Sequence, residues 1–152
     1  TPPLTAAQLK SSVRLLLSSV GVKLNVGDAD KGFVSLPAAD LFIDCRGIKE
    51  KGLHTKGTGA SVEFQQAVSL ASTDALFHIH GLITEAVTRI PDRRSEKADP
   101  FKDPFEICFF CAWGVHRSVA TKYLMGRWLQ SEGYQVTIVP EPSMEEYLGY
   151  LL

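Results

Sequence analysis

The stretch Phe105-Glu106-Ile107-Cys108-Phe109-Phe110-Cys111-Ala112-Trp113-Gly114-Val115-His116-Arg117-Ser118 decides how this chain reads. Its first seven residues form a compact apolar, aromatic-rich run of strand length, and Gly114 then interrupts it. From Arg117 to Ser131 the residues suit a helix, which Gly133 ends. A strand that turns directly into a helix points successive backbone N–H groups into the turn, and the helix N-terminus adds partial positive charge. That concavity favours an anion. Gly114 relieves backbone crowding in the turn. Arg117 can fold back as a planar fork that grips two oxygens, a geometry lysine cannot supply. Ser118 can cap the helix or donate to the Cys111 sulfur.

Working outward, Thr5 followed by Gln8 forms a capping-box pattern, and Leu9, Val13, Leu16, Leu17 and Val20 recur at helical spacing up to Gly21. This predicts a first helix over residues 6–20. Residues 22–26 and 33–36 read as short strands and 41–45 as a buried one. Residues 46–60 hold four glycines and read as a long loop. Helices follow over 62–71, capped by Ser61, and over 74–90, capped by Thr73. Residues 91–104 read as a charged, proline-containing loop, 134–139 as a last strand, and Ser143 as the cap of a short terminal helix. Strands alternating with helices predict a single α/β domain with a mostly parallel sheet flanked by helices. Ligands in such folds sit beyond the carboxyl ends of the strands, where Asp44-Cys45-Arg46 and the Cys111 to Ser118 turn both fall.

Composition narrows the function. A chain of 152 residues with 45% apolar and 22% charged residues can bury one substantial core. A net charge of -1 supplies no broad positive field for nucleic acid or an anionic membrane, so any anion site is local. There is no apolar run long enough to span a bilayer and no secretory pattern at the start. Three cysteines, Cys45, Cys108 and Cys111, are too few and too odd for a disulfide framework, which points to a reducing, cytoplasmic setting. Cys108 and Cys111 make a Cys-x-x-Cys, but an odd separation in a strand sends them to opposite faces, and no second ligand pair accompanies them. His78 and His80 diverge on a helix, and His80 reads as a core histidine. No metal and no cofactor are expected.

The turn resembles a known stretch. Cys111-Ala112-Trp113-Gly114-Val115-His116-Arg117-Ser118-Val119 is similar to the Cys-x-Gly-Gly-x-His-Arg-Ser-Val stretch of the RapZ family of bacterial RNase adapter proteins, in their C-terminal domain, with Trp113 at the first Gly. Ala39-Asp40-Leu41-Phe42-Ile43-Asp44-Cys45-Arg46 resembles the family's Ala-Asp-Leu-Val-Phe-Asp-Val-Arg; His54 maps to a downstream loop His, and Thr58-Gly59 to a Thr-Gly element. The resemblance spans roughly residues 32–139. It implies a fold similar to the sugar-phosphate half of phosphofructokinase and a pocket for glucosamine-6-phosphate. Arg117, His116, Gly114, Ser118 and the backbone near Ala112 would hold the phosphate, with His54, Arg46 and Thr58 near the sugar. The ligand-binding set is then Cys111, Ala112, Trp113, Gly114, Val115, His116, Arg117, Ser118, Asp44, Arg46, His54 and Thr58.

Two departures limit the transfer. No Gly-x4-Gly-Lys-Ser/Thr motif is present, so ATP binding is not implied. The family also resembles an RNA-binding domain with a basic tail, whereas residues 139–146 here are acidic, which disfavours RNA.

Three functions compete. The first is a binding or sensing module for a phosphorylated small metabolite. The second is a cysteine-dependent phosphatase with Cys111 as nucleophile, Arg117 and Ser118 in support, and Asp92, Asp99 or Asp103 as the acid. Phe110 stands where such enzymes carry a His. The third is an RNA-binding or protein-interaction adapter. Homo-oligomerisation stays open.

Overall fold

The computed structural model describes residues 4–21, 39–49, 58–93, 101, 103–111 and 117–140. The elements run α1 (Ala6–Ser12), β1 (Arg14–Gly21), β2 (Leu41–Asp44), α2 (Val62–Ala71), α3 (Thr73–Thr88), α4 (Ile90–Arg93), β3 (Phe105–Cys111), α5 (Arg117–Ser131) and β4 (Gln135–Ile138). The strands form one sheet in the order β2-β3-β1-β4, and all three pairings are parallel. This is the α/β architecture with a parallel sheet and flanking helices expected from the sequence.

The expected helix over residues 6–20 is corrected. Its start is right, because Thr5 accepts from the Gln8 N–H at 3.1 Å while the Thr5 N–H donates to Gln8 Oε1 at 2.9 Å. The helix stops at Ser12, however, and residues 14–21 are a strand. Val13, Leu15 and Leu17 are buried in alternation, a period of two hidden inside an apolar run that also satisfies a helical period. The deciding force is non-local. β1 lies between β3 and β4, so its backbone finds ladder partners on both sides. Gly21 ends the strand beside Cys111 instead of stopping a helix.

One face of the sheet carries Leu15 and Leu17 from β1, Ile43 from β2, and Phe105, Ile107, Phe109 and Cys111 from β3. These pack in one core with Phe64 and Val68 of α2, Leu76, Ile79, Ile83 and Val87 of α3, and Ala120, Met125 and Leu129 of α5. Each Val, Leu, Ile, Phe or Met side chain among them contributes about 1.5–3 kcal/mol on burial. Helix α5 closes with Gly133 at φ 96°, and the Tyr134 N–H returns to the Leu129 carbonyl at 3.1 Å.

The cap of α3 also differs from expectation. Ser72, not Thr73, is its N-cap residue, and the Thr73 hydroxyl donates back to the Ser69 carbonyl at 2.7 Å. The Ser72 hydroxyl accepts from the Lys49 N–H at 2.9 Å, which ties the segment after β2 to the α2–α3 junction. Ser61 caps α2 as expected, accepting from the Phe64 N–H at 3.2 Å. Residues 90–93 form α4, so the loop expected from residue 91 begins later. His80 is half-buried; its Nε2 meets Glu132 Oε1, and its ring stacks on Trp128 with centroids 4.0 Å apart. The strands expected over 22–26 and 33–36 and the helix capped by Ser143 lie outside the described residues. No described helix is long and apolar enough to cross a membrane.

Candidate functional site

Strands β2 and β3 are parallel neighbours, so their carboxyl ends emerge side by side. Asp40 sets the register at the entry. Its N–H donates to the Glu106 carbonyl at 2.9 Å and its carboxylate accepts from the Glu106 N–H at 2.8 Å. At the exit Asp44 pairs with Phe110, and the Cys45 N–H donates to the Phe110 carbonyl at 2.7 Å. The ladder thus runs one residue past β2 and sets Cys45 beside Cys111.

Side-chain alternation sorts these residues between the two faces of the sheet. Ile43, Cys45, Phe109 and Cys111 enter the core below the helices. Asp44 and Phe110 take the opposite face, as does Cys108, whose thiol is pushed up by burial and partly relieved by Ser18. The Cys-x-x-Cys is therefore split between faces, as the strand period requires.

Helix α5 begins at Arg117, six residues after β3 ends at Cys111. The Cys111 thiol donates to Ser118 Oγ across 3.1 Å, with both groups buried. Arg117 Nη1 donates to the backbone carbonyl of Arg46 at 2.5 Å. This contact joins the helix start to the β2 exit, so the two sequence blocks meet as grouped. They meet through backbone, however, and the Asp44 and Arg46 side chains are committed to each other. Arg46 Nε donates to both carboxylate oxygens at 2.9 and 3.1 Å, Nη2 donates to Oδ2 at 2.7 Å, and the Arg46 N–H donates to Oδ1 at 2.9 Å. These bonds to Arg46 hold the Asp44 carboxyl below its usual range against a modest desolvation, and Arg117 adds to the lowering. The Arg46 guanidinium lies 5.5 Å from the Phe110 ring centroid.

Thr58 is held in the turn that starts α2. Its hydroxyl accepts from the Ala60 N–H at 3.3 Å and its carbonyl from the Ser61 N–H at 3.0 Å. Gln65, 3% exposed, braces that turn by donating from Nε2 to the Gly59 carbonyl at 2.9 Å. His54 and the loop residues Ala112, Trp113, Gly114, Val115 and His116 lie outside the described residues.

Sequence reasoning passed over three residues of this region. Thr121 and Lys122 follow Arg117 and Ser118 by one helical turn and are fully buried. Thr121 donates to the Arg117 carbonyl at 2.7 Å, and the Lys122 ammonium donates to the Val139 carbonyl at 2.7 Å. The available signal was their spacing, because polar residues at i+3 and i+4 share the face of Ser118. Cys45, fully buried, counted only as part of the Asp44 to Arg46 block.

The acid proposed for a phosphatase is corrected in one respect. Asp103 is exposed and lies two residues before β3, at the end of the strand opposite Cys111. Seven strand residues separate the two by roughly 20 Å or more, too far for proton transfer. The Asp92 side chain and Asp99 are outside the described residues. Among the described residues no group of three or more His, Cys, Asp or Glu could hold a metal ion.

A thiol, a hydroxyl and a guanidinium thus gather where one helix starts and two parallel strands end. Compared with known proteins, the chain matches no family model, and no curated protein matches it.

Proposed function

We propose that this chain is a cytoplasmic, non-enzymatic binding or sensing module for a phosphorylated small metabolite, an amino-sugar phosphate such as glucosamine-6-phosphate, in the manner of RapZ C-terminal domains. The observation that carries the reading is the bond from Arg117 to the Arg46 carbonyl. It holds a guanidinium at the start of a 15-residue helix across the ends of two parallel strands. A five-donor fork can keep one N–H on a carbonyl and present another edge to phosphate oxygens. The helix N-terminus adds its partial charge at the same place. The test is calorimetric titration with glucosamine-6-phosphate and inorganic phosphate. Losing a charged hydrogen-bond partner costs about 1.5–3 kcal/mol, so Arg117→Ala weakens binding roughly tenfold to more than a hundredfold. Unchanged affinity in a folded Arg117→Ala protein rejects the site.

A phosphatase is the second reading, favoured by the contact of Cys111 with Ser118 Oγ. It needs the sulfur in line with phosphorus and an acid within reach of the leaving group. Under the binding reading the protein shows no multiple-turnover hydrolysis of aryl or sugar phosphates. Metal-free turnover that vanishes in Cys111→Ser would make the phosphatase correct. An RNA adapter role predicts tight RNA binding with a steep salt dependence; the near-neutral charge and acidic residues 139–146 favour weak binding with a shallow slope.

A further inference from the structure

The register of β2 against β3 brings together two thiols whose pairing the anion-binding reading does not use. Asp44 pairs with Phe110 and the Cys45 N–H bonds the Phe110 carbonyl, so Cys45 and Cys111 are direct cross-strand neighbours. Their side chains enter the same layer, since both belong to the core cluster below the helices. Adjacent strands lie about 4.8 Å apart, inside the Cα separation of about 4.4–6.8 Å that a disulfide accepts. Both sulfurs lie against the first turns of α5, Cys111 bonded to Ser118 and Cys45 next to the Thr121 hydroxyl. Cys108 is excluded from the pair because it points to the other face, toward Ser18.

We propose that Cys45 and Cys111 form an oxidation site, which a peroxide joins into a reversible disulfide at the carboxyl ends of β2 and β3. Cys111 reacts first, because it is the last residue of β3 and keeps 2% exposure, whereas Cys45 is fully enclosed. Burial, with a smaller contribution from the Cys111 sulfur, also pushes the Cys45 thiol far up and keeps it protonated. In the first step the Cys111 sulfur attacks a peroxide oxygen. The S–O bond forms, the O–O bond breaks, the sulfur gives up two electrons, and one water leaves with the thiol proton. In the second step the Cys45 sulfur attacks the Cys111 sulfenic acid. The S–S bond forms, the S–O bond breaks, and hydroxide leaves as water with the Cys45 proton. Two thiols and one hydrogen peroxide give one disulfide and two waters, and a thiol reductant reverses the change. The disulfide removes the thiol proton that Cys111 donates to Ser118. Any loss of phosphate affinity on oxidation rests on the function proposed above; formation of the bond does not.

The experiment treats the wild-type full chain with hydrogen peroxide, alkylates the remaining thiols after denaturation, and maps the peptides by mass spectrometry. The expected result is loss of two hydrogens, a Cys45–Cys111 linked peptide, alkylated Cys108, and full reversal by dithiothreitol. Cys108→Ser gives the same link, while Cys45→Ser gives none and drives Cys111 to sulfinic acid. The wild-type mapping does not depend on either variant folding. Recovery of Cys45 and Cys111 unlinked, or linkage through Cys108, overturns the proposal. Saturating inorganic phosphate is expected to slow linkage in proportion to occupancy. Linkage at an unchanged rate supports the oxidation site while counting against the anion site, so the two readings fail separately.

Discussion

The two halves of α5 bury different chemistry against the same sheet. In the second half Met125, Gly126 and Leu129 are buried apolar contacts. In the first half the enclosed residues include Ser118, Thr121 and Lys122, each 0% exposed and each in a hydrogen bond. The facing part of β1 follows the same division. Leu15 and Leu17 pack into the core, while Ser19, on the same face and nearer the carboxyl end, has a buried hydroxyl without a hydrogen-bond partner among the described residues. A buried polar group gains little net stability when bonded and costs about 1–3 kcal/mol when it is not. The carboxyl end of the sheet therefore encloses polar groups among its buried apolar ones, whereas the other end packs apolar side chains against apolar ones.

Four substitutions test that division. The largest effect is expected for Leu129→Ala, a fully buried truncation that costs about 2–5 kcal/mol of unfolding free energy in denaturant titration. Its folded fraction should bind phosphate with wild-type affinity; loss of both together would show that the halves are not separable. Arg117→Ala is the converse, with binding lost as stated above and stability changed by less than about 1 kcal/mol, since the side chain is only half-buried. Gly126→Ala probes the close approach of α5 to β4, where an added Cβ overlaps the Ile138 side chain and meets Leu17 Cδ2 at 3.6 Å. Overpacking of about 1–3 kcal/mol outweighs a helix-propensity gain of up to about 1 kcal/mol, so the melting temperature falls. A rise would mean that the Ile138 chain swings aside without loss.

The smallest effect belongs to Asp44→Asn and is visible only through its pH dependence. The Asp44 carboxyl is held low by Arg46, so the ionised form contributes stability above the unfolded value of about 3.9. That contribution is lost as pH falls through the lowered folded value. The pair is half-exposed and screened, and the effect is correspondingly modest. Melting curves of the variant and the parent should differ slightly at neutral pH, begin to draw together below about pH 4, and coincide only below the lowered folded value. A difference that widens on acidification contradicts the assignment.

Local chemistry made part of this molecule legible. The bounds of β3 and α5 follow from a seven-residue run that is apolar except for Glu106 and from glycines at residues 114 and 133, and Gly133 takes the left-handed conformation such a stop requires. The Ser61 cap and the Thr5–Gln8 box were readable because their bonds span three residues. Thr73 misled because a hydroxyl near a helix start can donate backwards along the chain as readily as it can accept, and a tertiary contact with Lys49 had claimed Ser72. At the start of α5, Arg117 and Ser118 could be singled out from the strand-to-helix pattern, whereas Thr121 and Lys122 read as ordinary polar residues of a helix.

The sequence by itself determined a strand-turn-helix unit with Cys111 before the turn and Arg117 and Ser118 after it, because spacing along the chain suffices for that. Only the tertiary structure decided that residues 14–21 are a central strand, that Arg46 offers Arg117 its carbonyl while its side chain holds Asp44, and that Cys45 lies beside Cys111. Each of these depends on which strand lies next to which and in what register. That choice is made by ladder hydrogen bonds and shared burial between residues far apart in the chain, where local periodicity carries no information.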